Sequence, residues 1–495
     1  MVCDAESLLR AFVASRRGLA LSALVLIALV SLALFVGLGA DPVGRSSEGR
    51  CVEVVRRMVE SGDWLVPRLG STVRLQKPPL FYWAAAVVAE LSGVTGPWSA
   101  RAVSAVAALA LAALVLVWGR ALGGGGLGLI AAGSLAAMQQ FTSSGRRGDA
   151  EMLLALLSTA ALFCFDRMHA ERRRALLPIF AALLGLAFLT KATAVLFSVA
   201  LPIAVYLALR RELRVLRQPR VLAALAAAAA IGVSWYVAVL VFVPGAFESL
   251  RTALLLPLGS AQSHGGSAHF RAPWWYLSVL PVRAAPASVL LPLVIWRLWT
   301  TRLQRDDPRQ RFAALVFLVP FAAFSLLPQK QKHYTLSMLP GLALCSADAV
   351  VAAARELGAR FRLALRAVGG AFALIGLAAT VALALFFVWV EGVAPAAVSA
   401  AAALPLALFG AAAAAAAVGR PASFGASWLA GFLLALAVGR GVVETRVAAI
   451  GRSYQELPID ERERLAAVVR EHTWFARLVV LELGNPAADG EDDDD

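Results

Sequence analysis

The stretch GRRGDAEMLL, residues 145–154, puts Arg146 and Arg147 directly ahead of an Asp-x-Glu pair at the mouth of an apolar run. Carboxylates two residues apart at a helix start, Asp149 and Glu151, can share a divalent cation through oxygen ligands. Neighbouring guanidiniums can hold a monophosphate or diphosphate. The plainer role is an acidic first turn that suits the helix dipole, with local ion pairs. A third carboxylate, Glu48, lies in SSEGRCVEVVRRMVESGDW, residues 46–64. There Cys51, Val54 or Val55, and Met58 recur at helical spacing, while Arg50, Glu53, Arg56, Arg57 and Glu60 line the other face. Ser47 is placed to cap this helix and Glu48 to support its dipole. The stretch is either an amphipathic interfacial helix or the edge of a catalytic site.

Cationic and aromatic groups cluster at other apolar boundaries. RLQKPPLFYW sets Lys77 before two prolines that fix a helix entry, then Tyr82 and Trp83. LPQKQKHY brings Lys330, Lys332, His333 and Tyr334 together, and Lys191 stands alone after Thr190. SHGGSAHFRAPWWY carries His264 and His269, of which His269 is the candidate ligand or proton carrier. A lysine at such a boundary often only anchors to headgroups, and a lone loop histidine is often neither ligand nor acid. Ionisable groups at membrane depth, however, are costly and tend to mark function.

The elements that position these residues are membrane helices. The chain has 495 residues, 60% of them hydrophobic and 16% charged, against about a quarter charged in a soluble domain. Segments such as LALSALVLIALVSLALFVGLG exceed the roughly 20 residues needed to span a bilayer. No run of alternating ten-residue strands suggests a β-barrel. The net charge of +14 sits in short basic loops, which is the positive-inside pattern rather than a nucleic-acid surface. Cysteines at 3, 51, 164 and 345 form neither a disulfide framework nor a zinc motif. Arg10, Arg16 and Arg17 precede the first apolar run, which is longer than a cleaved signal's core and is expected to stay as an anchor.

Placing every basic loop in the cytoplasm, with the N-terminus, fixes a topology. The first span, 19–39, goes outward, and 41–98 forms the first outer loop. Residues 79–95 there do not cross fully. Spans then follow at 99–119, 124–141, 149–166, 175–189, 192–209 and 221–243, with Thr190–Lys191 at an outer turn and a long outer loop over 244–275. The remainder, 276–296, 312–328, 334–350, 367–391, 394–417 and 422–440, brings the total to about thirteen crossings. The expected fold class is an all-α polytopic membrane protein, a transmembrane domain over 1–440 with a small outer tail, 441–495, that ends in the acidic run ADGEDDDD. Under this topology the unusual residues all collect on the outer face.

In this order the motifs resemble the GT-C membrane glycosyltransferases of the lipid A aminoarabinose transferase and protein O-mannosyltransferase superfamily (the family 39 and 83 type). SSEGRCVEVVRRMVESGDWLVPRL followed by RLQKPPLFYW is similar to that family's DE-x-RY-x-E, SGDW-x-P and KPPL-x-YW pattern. GRRGDAEMLL, GLAFLTKAT, SWYVAV, HFRAPWWY and QKQKHYTLSMLP support the likeness, which covers residues of about 15 to 350. The family's first-loop aspartate falls on Ser47, its adjacent glutamate on Glu48, its tyrosine on Cys51, and its second-loop aspartate on Glu151. Gln76 stands where an acidic residue often precedes the lysine.

The resemblance implies an inverting transfer of a sugar from a polyprenyl phosphate carrier to a lipid A-like or other envelope acceptor, on the periplasmic face of the inner membrane. It implies Glu48 as the base, or Asp149 or Glu151 in its place. Carrier contacts would come from Arg50, Lys77, Tyr82, Arg146, Arg147, Lys191, His269, Lys332, His333 and Tyr334. A divalent metal, if present, would sit on Asp149, Glu151 and His269. The competing readings are a protein O-glycosyltransferase of the same fold, a ligase that moves a whole glycan, a structural membrane scaffold, and a transporter or flippase for a lipid-linked substrate. A transporter would show internal repeats and midplane polar groups, and neither appears in the sequence.

Overall fold

The computed structural model describes residues 15–39, 43, 47–255, 271–301, 308–356, 363, 370–389, 395–418 and 427–435. The expected tail, the loop histidines His264 and His269, and the last expected span beyond residue 435 lie outside the described residues. The described residues are almost wholly helical, and the one sheet among them is a two-stranded hairpin, β1 (Arg68–Leu69) and β2 (Thr72–Val73).

Helix α1 (Arg16–Phe35) leads to α2 (Ser47–Ser61), the β-hairpin and α3 (Leu80–Ser92). α2 is amphipathic as its spacing predicts, with Glu48, Cys51, Val54, Val55 and Met58 buried. α3 starts behind Pro79, stops at the left-handed Gly93, and has 13 residues, too few to span. It is the incomplete crossing expected over 79–95. The long α4 (Pro97–Gly123) then packs closely on α5 (Gly125–Ala137). A Cβ at Gly128 would come within 2.4 Å of the Leu116 carbonyl, so the helices meet backbone to backbone. The crossing expected over 124–141 is broken: α5 ends at the extended Met138, and a short α6 (Gln139–Gly145) follows.

α7 (Ala150–Glu171) begins at the Asp149 cap. The next apolar stretch, 174–209, is 36 residues long. A straight helix of that length would measure about 54 Å, far beyond a hydrocarbon core of about 30 Å. It reverses instead. α8 (Leu177–Val195) holds a break at Lys191 (φ −163°, ψ 89°), followed by a π-turn over Leu196–Ala200 and then α9 (Leu201–Leu209). Lys191 touches Glu151 in the first turn of α7, while Glu212, just past α9, touches His169 in the last turn of α7. The chain therefore goes up and returns along α7, with its turn at Lys191, where the sequence placed a turn. α10 (Pro219–Phe242) runs parallel to the rising arm: Gly185 faces Ala228 and Ile231, and Gly232 faces Phe188. Parallel neighbours require just such an intervening return.

Two further expectations are revised. The 244–275 loop opens with a helix, α11 (Ala246–Leu255). The single span expected over 276–296 is a pair, α12 (Trp275–Arg283) and a second helical stretch ending in α13 (Leu291–Thr301), bent by 118° around the Ala285–Pro286 region. Pro281 and Pro286 have no amide N–H to donate, which denies that stretch a continuous hydrogen-bond ladder. α14 (Pro308–Leu326), a 3-10 turn over Lys332–Met338 and α15 (Leu339–Glu356) follow, then α16 (Gly370–Trp389) and α17 (Pro395–Val418). Among the described residues seven helices are long and apolar enough to cross a membrane, or eight if the bent pair is one span.

The main core runs through α1, α4–α9 and α12–α15. A second cluster joins α2 to α3, with Cys51, Val54, Met58, Phe81 and Tyr82. The loop between them is tied down by two indoles: Trp83 Nε1 donates to the Trp64 carbonyl (2.7 Å), and Trp235 Nε1 to that of Leu65 (2.9 Å). These bonds fix the SGDW and KPPL motifs against the helix bundle.

Candidate active site

Four pieces of chain meet at one end of the bundle: the first turn of α2, the 146–149 loop with the start of α7, the break in α8, and the 3-10 turn before α15. Asp149 caps α7, its Oδ1 accepting from the Glu151 amide (3.2 Å). Its Oδ2 lies 3.5 Å from the Ser47 hydroxyl, and the residue is 5% exposed. Burial, then the neighbouring Glu151 charge, pushes the Asp149 carboxyl up from 3.8 to about 6, with Lys77 and Arg147 pulling the other way. Among the described residues Asp149 has no salt-bridge partner.

Glu151 is paired. Lys191 Nζ sits 2.6 Å from its Oε1, and His333 Nε2 lies 3.5 Å from the same oxygen. The Lys191 ammonium also approaches the Tyr334 ring at 5.2 Å. Beneath this group a cavity of about 300 Å³, counting space open to solvent, lies between α7, α8 with its π-turn, α14 and the 3-10 turn before α15. Its mouth is Glu151, Lys191, His333 and Tyr334, and its depth is mostly apolar, with Leu154, Ala194, Phe324 and Leu336. A charged mouth over an apolar groove suits an amphiphile with an anionic head.

Other candidates are engaged by partners within the protein. Glu48 is 6% exposed and takes both arms of Arg101, Nε to Oε1 at 2.8 Å and Nη2 to Oε2 at 3.1 Å. The same Oε1 accepts the Gly148 amide at 2.8 Å. A carboxylate so engaged fixes the loop that carries Arg147 and Asp149, and is poorly placed to take a substrate proton. Arg101, itself donating to the Leu38 carbonyl, went unnoticed in the sequence, since a single arginine in an apolar helix carries no local motif. Arg146 is likewise buried: its Nη1 donates to the Leu34 and Val36 carbonyls and caps α1, not a phosphate. Tyr82 is 2% exposed in the α2–α3 core, so it packs and does not line the groove. Beside it burial pushes the Cys51 thiol up to about 11, which keeps it neutral. Lys330 donates to the Leu327 carbonyl and to that of Arg271 (3.0 Å).

The remaining cations stay available. Lys77 is half-buried, Arg50, Arg147 and Lys332 are exposed, and none of the four has an ion-pair partner among the described residues. His269 lies outside the described residues. Of the carboxylates expected to share a divalent metal, Glu151 is held by the Lys191 ammonium, and no group of three His, Cys, Asp or Glu able to hold a metal ion occurs among the described residues, which leave out His269.

Comparison with known proteins agrees with this architecture. Residues 76–238 match the family model described as dolichyl-phosphate-mannose-protein mannosyltransferase. A protein of Proteus mirabilis named undecaprenyl phosphate-alpha-4-amino-4-deoxy-L-arabinose arabinosyl transferase 2 is 28% identical over 344 residues, 68% of this chain and 60% of the relative. The protein of that name from Aeromonas salmonicida is 27% identical over 358 residues, 70% of this chain and 62% of the relative. The chain thus spans about 60% of the length of these relatives. The crystal structure of ArnT from Cupriavidus metallidurans bound to undecaprenyl phosphate superposes with a TM-score of 0.66 at 22% identity, over 88% of this chain and 80% of that one.

Proposed function

We propose that this chain, which has the fold of the GT-C membrane glycosyltransferases, moves a sugar from a polyprenyl phosphate carrier to a lipid acceptor in the cell envelope. The observation that carries this reading is the cavity whose charged mouth, Lys191 paired with Glu151 and flanked by His333 and Tyr334, opens over a mostly apolar lining near the buried Asp149. The names of the relatives supply the donor class: they act on undecaprenyl phosphate-linked aminoarabinose.

The carrier chain lies in the groove, and its phosphate meets Lys191, with Lys77, Arg147 and Lys332 available around it. These cations stabilise the phosphate as it leaves the anomeric carbon, where negative charge develops. Asp149 takes the proton of the acceptor hydroxyl as the acceptor oxygen bonds to that carbon and the carbon–phosphate oxygen bond breaks. Polyprenyl phosphate departs, and attack opposite to it inverts the anomeric centre. Glu48 and Arg101 position the Asp149 loop, and Glu151 holds Lys191. The site faces the periplasm, as the positive-inside reading of the loops requires.

A protein acceptor is the second reading, favoured by the family model, whose description names a protein mannosyltransferase. The test is reconstitution in liposomes with labelled polyprenyl phosphate sugars, read by mass spectrometry of lipids and proteins. Wild type is expected to transfer label to lipid, and Asp149→Asn to lose transfer by about two orders of magnitude or more, the usual scale for a general base. Label on protein alone would select the second reading, and no transfer from any carrier would end both.

A further inference from the structure

The end of the bundle opposite the site carries a basic surface that the transfer chemistry does not use. Two loops meet there, 171–176 after α7 and 210–218 after α9, joined by the His169–Glu212 contact of 2.6 Å. Arg172, Arg174, Arg211, Arg214, Arg217 and Arg220 are all exposed, and none has an ion-pair partner among the described residues. The acids nearby are already engaged, Glu171 with Arg167 and Arg173, and Glu212 with Arg210 and His169. Exposed Leu209, Leu213 and Leu222 lie in the same stretch.

Backbone conformation adds an independent observation. Arg172 and Arg211 are the non-glycine residues with positive φ among those described, at 52° and 58°. Both follow a helix end, where a left-handed residue is favoured to be glycine. Fold stability alone would be served better by glycine at these positions, yet each is an exposed arginine within the basic loops.

We propose that this surface binds anionic phospholipid headgroups of the bilayer leaflet opposite the active site. Guanidiniums match phosphate geometry, and interleaved leucines place the cluster at the hydrocarbon boundary, where a soluble anion would find no use for them. Juxtamembrane arginines gain most from an anionic leaflet. The glycine variants separate this role from a structural one, because glycine suits the backbone and removes only the charge.

The full-length protein is reconstituted in nanodiscs of phosphatidylcholine, with or without phosphatidylglycerol. Its melting temperature and the phospholipids retained in native mass spectrometry are measured. Wild type is expected to melt higher with phosphatidylglycerol and to retain it selectively. Arg172→Gly/Arg211→Gly and Arg214→Gln/Arg217→Gln are each expected to weaken retention about tenfold or more, and to lose the gain in melting temperature. Retention unchanged in both variants, or equal for the two lipids, overturns the proposal. Transfer activity in phosphatidylcholine is expected to be unaffected, so failure here is distinguishable from failure of the transferase reading.

Discussion

Asp149 and Glu151 are two residues apart and live in different electrostatic surroundings. Glu151 has an ammonium at 2.6 Å, whereas Asp149 has a hydroxyl and an amide. Environments that push two carboxyls apart are how acid and base roles are divided. For Asp149 the sign is specific. Its folded value of about 6 lies above its ordinary 3.8, so the folded state binds more protons through that window and stability falls as pH rises across it. Asp149→Asn is therefore expected to melt higher than wild type at pH 8, with the difference vanishing below about pH 4, since no charge remains there to relieve. Wild-type transfer should rise along an acid limb centred near pH 6 as the base ionises. Melting curves and a pH–rate profile check both. A variant less stable at pH 8 would mean that the surrounding cations hold the ionised form. Spacing alone identified these two carboxylates in the sequence, but not which of them is free, because Lys191 and Ser47 are distant in the chain.

At the scale of elements, Glu48, Arg101 and Gly148 form a brace across α2, α4 and the 146–149 loop. The loop presses on α4 so closely that a Cβ at Gly148 would lie 2.7 Å from that of Ala100. Removing one partner of a buried pair strands the other charge, so Arg101→Met is expected to cost about 3–5 kcal/mol of stability. Glu48→Gln keeps shape and some hydrogen bonding, and its transfer should fall less than that of Asp149→Asn. The Glu48→Gln/Arg101→Met double variant should be less damaged than the sum of the single effects. Melting and transfer rates of all variants decide it: Glu48→Gln as inactive as Asp149→Asn at wild-type stability would return the base role to Glu48. Sequence pattern revealed α2, its buried face and its carboxylate. It could not reveal the brace, because Arg101 sits 53 residues away near the start of a mostly apolar helix. The surroundings of Arg146 are illegible in the sequence for a related reason. Its neighbour Arg147 faces outward, and only the packing of α1 shows that Arg146 turns inward to carbonyls.

For the whole molecule, the reversal at Lys191 decides which groups can meet. It lets α8 and α10 run parallel, and it brings Lys191 to Glu151 while sending both flanking basic loops to the far end of α7. The charge pattern alone called for such a turn, since Arg172–Arg174 and Arg210–Arg220 had to share a side. Bends at Met138 and around Pro286 sit between apolar stretches, so hydropathy alone does not place them, although Gln139–Gln140 and Arg283 with Pro286 stand at the breaks. Topology can be tested with single cysteines and a membrane-impermeant thiol reagent on intact and opened cells. Arg174→Cys and Arg214→Cys are expected to label only after opening, and Thr72→Cys, in the hairpin beside the site, in intact cells. The variants are made in a Cys3→Ser background, and the other native cysteines, Cys51, Cys164 and Cys345, are buried and should contribute little labelling. Labelling of residues 174 and 214 from opposite sides would make 174–209 a single crossing. That outcome would carry Lys191 away from the face it shares with Lys77 and Asp149, and with it the site.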